Sequence, residues 1–201
     1  MSEIALLILA AGKSSRMRGE DKLMRKVGKT PQLRRIAMAA CATSSQVYVT
    51  LPDAAHPRAG LLLGLDLRFV PVPEAHLGMG RSIAAGVASL LDPRIHGVMI
   101  VPADMPELTQ SDLALLSKAF FLGTDQIIQA ITRDGQPGHP VVFPKSLFEH
   151  LKALSGDEGA RAVLRSHRQL IRQVSLPKKH ARTDLDTPED WQEWLSLSHT
   201  N

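Results

Sequence analysis

The chain has 201 residues, 44% of them hydrophobic and 22% charged, with a formal net charge of +4. That length holds one sizeable α/β domain, or at most two small ones. The mild charge suits an enzyme for anionic substrates about as well as a weak nucleic-acid binder, and with 4% aromatic residues the basic run 178–182 has no interleaved aromatics for stacking. The single cysteine, Cys41, excludes an internal disulfide and a cysteine-rich zinc site. With no cationic leader and no run near the ~20 apolar residues of a membrane span, a cytoplasmic protein is expected, with neither membrane nor nucleic acid as partner.

Residues 4–9 form a continuous apolar run, the pattern of a buried parallel strand. The run leads into Ala10-Ala11-Gly12-Lys13-Ser14-Ser15-Arg16-Met17-Arg18-Gly19-Glu20-Asp21-Lys22. Small residues let a backbone approach a ligand and turn its N–H groups inward. Arg16 and Lys22 suit phosphate oxygens. Pro31 opens a helix carried by Leu33, Ile36, Ala37, Ala40 and Cys41 at helical spacing. Val47–Leu51 reads as a second strand, 54–63 as a short helix and 67–70 as a third strand. A loop follows, from Pro71 through Gly78 and Gly80, then a helix over 82–91.

A fourth strand, 97–101, runs at once into Pro102-Ala103-Asp104-Met105-Pro106. Thr109, with Asp112 three residues on, caps a helix to about Phe120. A strand over 126–131, a turn-rich loop from Arg133 to His139, a short strand over 141–143 and a helix over 145–153 come next. Ser155-Gly156-Asp157-Glu158 reads as a capping box for a helix to about His167. After a last strand over 170–174, Thr187 as N-cap and Pro188 at N1 start a C-terminal helix, which is expected to fray over 198–201. Strands alternating with helices predict a single-domain, doubly wound, mostly parallel sheet of Rossmann-like form, with its core over about 4–195. Ligands of such sheets bind at the carboxyl ends of the strands, so loops 10–22 and 102–106 should share one edge.

Gly12-Lys13-Ser14 is not a P-loop, because that motif needs a glycine where Leu7 stands. Gly12 and Gly19 are the loop's only glycines, which excludes the dinucleotide fingerprint. On composition alone the loop reads equally well as a cation-rich strand-to-helix connection. Its company narrows the reading. Leu9-Ala10-Ala11-Gly12, Ser14, Arg16-Met17, Gly19 and Lys22 resemble the signature of the MobA-like nucleotidyltransferases, and most closely that of the molybdenum-cofactor cytidylyltransferases. Four later stretches resemble the same superfamily in the same order: 102–106, Gly138-His139-Pro140-Val141, Gly156-Asp157-Glu158-Gly159-Ala160-Arg161 and Asp184-Leu185-Asp186-Thr187-Pro188-Glu189-Asp190.

The resemblance implies that a phosphate on an acceptor attacks the α-phosphate of a nucleoside triphosphate and pyrophosphate leaves. The attacking phosphate is already ionised, so the task is positioning and charge neutralisation. By resemblance, Leu9, Ala10, Ala11 and Gly12 lie near the base; the glycine pair before a helix start puts Gly80 and Ser82 on the nucleotide as well. By resemblance, Ser14 and Arg16 serve the triphosphate, Lys22 the charge of the transition state, and Asp104 and Asp186 hold Mg2+. Asp184, two residues before Asp186, could face the same side if the segment is extended, and the resemblance favours Asp186. Arg16, Lys22 and Asp104 form the catalytic set, and His139 and Arg161 meet the acceptor. The resemblance also implies that alanine rather than glycine at Ala11 favours CTP over GTP. The implied acceptor is the phosphate of molybdopterin, and a molybdoenzyme or its chaperone is the implied recipient.

Structural readings stand beside these. Asp104 closes a turn between prolines, Asp186 complements a helix N-terminus, Gly78 and Gly80 make a flexible turn, and the capping box accounts for 155–158. Alternatives in function are another NTP such as GTP, another phosphorylated acceptor, or a non-catalytic cofactor-binding relative. Two features depart from the family: Arg18 stands where glycine is usual, and Arg25 and Lys26 stand where apolar residues are expected.

Overall fold

A computed structural model describes residues 3–123 and 125–198, so most of the expected fraying at the C-terminus lies outside the described residues. In chain order the elements are β1 (Glu3–Leu9), β2 (Lys26–Val27), β3 (Thr30–Pro31), α1 (Gln32–Cys41), β4 (Val47–Leu51), α2 (Pro57–Gly60), β5 (Arg68–Pro71), α3 (Met79–Ala88), β6 (Ile95–Pro102) and α4 (Gln110–Phe121). Then come β7 (Ile127–Ile131), β8 (Pro137–Pro144), α5 (Phe148–Lys152), α6 (Arg161–Ser166), β9 (Ile171–Ser175) and α7 (Pro188–Ser198).

One seven-stranded sheet has the order β5-β4-β1-β6-β8-β7-β9. All its pairings are parallel except those of β8, which runs antiparallel to β6 and β7. This is the single α/β domain with a mostly parallel sheet that the strand–helix alternation predicts. β1 lies inside the sheet and is buried from Ile4 to Ile8, which is why it reads as an unbroken apolar run. Its alternate side chains serve two cores. Ile4, Leu6 and Ile8 pack with Ile36 of α1 and Leu113 of α4. Ala5 and Leu7 pack with Ile83 of α3 and Leu151 of α5. No described helix is long and apolar enough to cross a membrane.

The direction of β8 corrects one expectation. Gly138 and His139, expected in a loop, are the second and third residues of this strand. Pro137 pairs with Ile131 at the end of β7, so an antiparallel strand begins at the edge where the parallel strands end. His139 therefore reaches the ligand edge from a strand. Gly138 is required by close approach, since a Cβ there would collide with the carbonyl of Ala181.

The region before α3 also differs. Residues Pro73–Leu77 form a 3-10 turn and α3 begins at Met79, three residues earlier than expected. Gly78 and Gly80 are packing glycines. A Cβ on Gly80 would lie 2.8 Å from the Ser155 carbonyl, and one on Gly78 would strike the Gly156 backbone. The Gly80 amide donates to Gly156 O at 2.9 Å. The capping box at Ser155 does not form: α6 starts at Arg161 without a side-chain cap, after a turn with Gly156 and Gly159 at positive φ. Glu158 instead pairs with Arg165 at 2.6 Å. Helix α2 is shorter than expected because Asp53 closes its own turn on the Ala55 amide at 2.9 Å and Pro57 marks the first helical turn.

These glycines differ in what surrounds them, and substitution separates them. Gly80→Ala is expected to cost about 1–3 kcal/mol by overpacking and to lower the thermal midpoint by several degrees. Gly12→Ala, whose Cβ would meet no atom within 4 Å, is expected to melt like the wild type. Equal melting curves for the two variants would contradict the packing role of Gly80.

Candidate active site

The loop after β1 is held at both ends. The Ala10 amide donates to Thr50 Oγ1 of β4 at 3.1 Å. Ser15–Met17 forms a 3-10 turn flanked by Ser14 and Arg18, both in the left-handed region at φ 50° and 53°. Met17 is fully buried against Leu185 and Trp191, which ties the loop to the C-terminal segment. Asp21 caps the next turn, Lys22–Met24, by accepting from the Leu23 amide at 3.0 Å.

Lys22 stands at the centre of the site. Its Nζ donates to Asp104 Oδ2 at 2.5 Å and to Asp186 Oδ1 at 2.6 Å. Arg16 approaches the other oxygen of Asp186 at 2.6 Å. Lys22 is only 14% exposed and the two carboxylates 21% and 24%, whereas Arg16 is 69% exposed. Water therefore screens the Arg16 contact, which contributes about 0–1 kcal/mol at most. The Lys22 contacts are screened less. Burial alone would lower the Lys22 pKa, but the charges and hydrogen bonds of Asp104 and Asp186 outweigh it and hold it above its ordinary value. Asp184 is raised, first by burial and then by the charges of Asp104 and Asp186. It is a third carboxylate in the same field.

Backbone contacts place these acids. Asp104 follows β6, and the loop around it is gripped by α1: Gln32 donates to Ala103 O at 2.8 Å, and Arg35 to the carbonyls of Leu108 and Met105 at 2.9 and 3.2 Å. The Leu185 amide donates to Asp104 O at 3.3 Å, docking the C-terminal segment beside it. Asp186 precedes a reciprocal cap in which Asp190 N donates to Thr187 Oγ1 and Thr187 N to Asp190 Oδ2.

A cavity of about 700 Å³ opens over this group. Of the residues singled out in the sequence, Leu9, Ala11, Gly12, Ser14, Arg16, Lys22, Ser82, Asp104, Arg161 and Asp186 line it. Ala10, Gly80 and His139 do not. Ala10 is turned into the core and its backbone is engaged by neighbours, and Gly80 is committed to the 155–156 backbone. The His139 amide donates to Ala181 O at 2.8 Å, and the ring Nδ1 is buried without a hydrogen-bond partner. Burial pushes its pKa below the ordinary value. Asp104 opposes this, and Arg161 adds to it.

Sequence reasoning missed Arg58, which is 2% exposed and bonds to Asp21, Ala10 O and Ser14. It also missed the role of Asp21. The departures from the family find local reasons. Arg18 pairs with Glu189 of α7 at 2.7 Å. Arg25 lies 5.7 Å from the Trp191 ring centroid and pairs with Glu20 at 3.0 Å. Lys26 is an exposed residue of the β2–β3 hairpin.

Residues 6–171 match the MobA-like NTP transferase domain. The chain belongs to that family. Being a MobA-like NTP transferase, it is a nucleotidyltransferase. Purine catabolism protein PucB of Bacillus subtilis (strain 168) is 28% identical over 200 residues, covering 92% of each chain. A molybdenum cofactor guanylyltransferase of Burkholderia vietnamiensis is 26% identical over 164 residues, 82% of this chain and 78% of the relative. Rv0371c of Mycobacterium tuberculosis H37Rv superposes with a TM-score of 0.78 at 27% identity, covering 97% of this chain and 98% of the other. A structure of Rv0371c in complex with manganese gives 0.74 at 24% identity, covering 97% and 99%.

The donor set suits a divalent ion. Asp104 and Asp186 converge on one cation position, which the Lys22 ammonium takes. Two carboxylates completed by substrate phosphates are the usual surroundings of Mg2+. Among the described residues no group of three or more His, Cys, Asp or Glu is arranged as a ready-made cage.

Two outcomes follow from this geometry. Arg18→Gly relieves a left-handed side chain worth about 1 kcal/mol and loses an exposed ion pair worth about 0–1 kcal/mol. Its thermal midpoint is expected within about 3 °C of the wild type; a much larger fall would make the Glu189 contact an anchor of the loop. For His139, the unfolded ring takes a proton near pH 6.5 and the folded ring resists it. Stability should therefore fall as pH drops below that value. Melts at pH 7.5 and 5.5 should show a larger loss for the wild type than for His139→Gln, and equal losses would contradict the depressed basicity.

Proposed function

We propose that the protein transfers a cytidylyl group from CTP to the phosphate of molybdopterin and releases pyrophosphate. The observation that carries this reading is Lys22 held between Asp104 and Asp186, at 2.5 and 2.6 Å, in a cavity edged by the Gly12–Arg16 loop. An oxygen of the acceptor phosphate attacks the α-phosphorus, a new P–O bond forms, and the bond to the β-phosphate oxygen breaks. The acceptor phosphate is an anion at neutral pH, so the cavity needs charge neutralisation and alignment rather than a strong base. Arg16 and Ser14 bind the triphosphate. Lys22 follows the charge that gathers on the transferring phosphate. Asp104 and Asp186 would hold Mg2+, which when bound neutralises the triphosphate and makes its α-phosphorus more electrophilic.

Leu9, Ala11 and Gly12 give the base a close, flat surface, and Ser82 adds a hydroxyl at the start of α3. Arg161 supplies a cation to the acceptor. His139, its basicity lowered by burial, would offer a hydrogen-bonding ring to the acceptor near Asp104 and Arg161. Alanine at Ala11 supports CTP through the family resemblance. The Burkholderia relative is named a guanylyltransferase, which makes GTP the second donor to test and supports a molybdopterin acceptor. We place the reaction in the cytoplasm, with a molybdoenzyme or its chaperone receiving the product.

The test is pyrophosphate release from CTP, GTP, ATP and UTP with Mg2+ and molybdopterin. CTP is expected to be the fastest donor. Asp104→Ala and Lys22→Met should each lose about 10²–10³ in turnover, the scale of one electrostatic contact to a transition state. Faster release from GTP would replace the donor. A wild type silent with all four NTPs that still binds the cofactor would make the protein a carrier.

A further inference from the structure

We infer that Arg58 and Asp21 form a positioning pair that sets the nucleotide loop, and with it Lys22, before substrate arrives. The inference rests on the reading of this loop as the triphosphate site. Arg58 comes from α2, beyond the end of β4, and its side chain is 2% exposed. All of its guanidinium contacts go to the loop after β1. Nε donates to Asp21 Oδ2 at 2.7 Å and Nη2 to Asp21 Oδ1 at 2.8 Å, a two-pronged contact that fixes orientation as well as distance. Nη1 donates to Ala10 O at 2.5 Å, and Nη2 reaches Ser14 Oγ at 3.3 Å. One buried side chain thus spans the start, middle and end of the loop.

Asp21 passes this constraint on. It is the residue before Lys22 and caps the Lys22–Met24 turn through the Leu23 amide. Burial alone would raise its carboxyl, but the hydrogen bonds and charge of Arg58 outweigh that and keep it ionised. The loop needs such a hold. A second cavity, of about 510 Å³, lies against it, and residues 12–15 line both this space and the nucleotide cavity. Packing on one side alone cannot fix those residues, and Ser14 is kept in a left-handed conformation at φ 50°. Neither residue is placed to touch the reacting atoms; the pair acts through Ser14 and Lys22.

The test uses the full chain with Arg58→Lys, which keeps the charge but loses the two-pronged contact, and Asp21→Asn, which keeps the shape. Amide hydrogen exchange and steady-state kinetics with CTP and GTP are measured on both. Exchange over 12–25 is expected to quicken at least tenfold, while β1 and β6 stay protected, and KM for the nucleotide should rise about tenfold. Unchanged loop exchange and KM in folded variants would overturn the pair's role. So would protection lost evenly across the sheet, which would make it a general stabiliser. If the wild type turns over no nucleotide, the proposed function fails, and the exchange experiment still decides whether the pair sets the loop.

Discussion

The site depends on one ammonium between two carboxylates. Lys22, Asp104 and Asp186 come from the loop after β1, the loop after β6 and the segment before α7, with sequence separations of 82 and 164 between Lys22 and its partners. Lys22 Nζ is the donor that both Asp104 and Asp186 share, and Asp184 stands in the same field. The lysine bridges the two acids and draws the ends of two distant segments together. In holding them it marks a place where positive charge is wanted and where phosphate oxygens would find a cation. In the proposed reaction, binding and catalysis would draw on the same charge balance.

The sheet supplies the convergence. Two neighbouring parallel strands, β1 and β6, deliver Lys22 and Asp104 to one edge, and antiparallel β8 starts at that edge and brings His139 to it. Close backbone contacts then shape the cavity. The first turn of α3 rests on the 155–157 backbone through Gly78 and Gly80, which places Met79 and Ser82 on the cavity wall beside Asp157 and Arg161. These glycines act by letting two protein segments meet, whereas Gly12 faces open space that a ligand can use.

How much of this could be read in the chain follows from how local each signal is. β1, the parallel character of the sheet and the caps at Thr109 and Thr187 depend on neighbouring residues, and they form as read. The carboxylates Asp104 and Asp186 lie on the expected edge because each follows or precedes a recognisable element. Ser155 fails as a cap for a non-local reason: residues 155–157 are taken up by α3, so the turn opens at Gly156 and Gly159. The β2–β3 hairpin is two residues per strand, too short for any period to show. Arg58 and Asp21 lie 37 residues apart, one in α2 and the other in the loop after β1, and no spacing rule joins them. Each alone looks like an ordinary surface charge. Arg18 is legible in reverse, since glycine is usual where the backbone is left-handed.

The most direct measurement is a crystal structure grown with a non-hydrolysable CTP analogue and Mn2+, read by the anomalous signal of manganese. The account predicts one manganese peak shared by Asp104 and Asp186, the triphosphate along the Gly12–Arg16 loop, and Lys22 Nζ on a phosphate oxygen. A nucleotide outside this cavity, or a metal bound away from both carboxylates with Lys22 still between them, would contradict it.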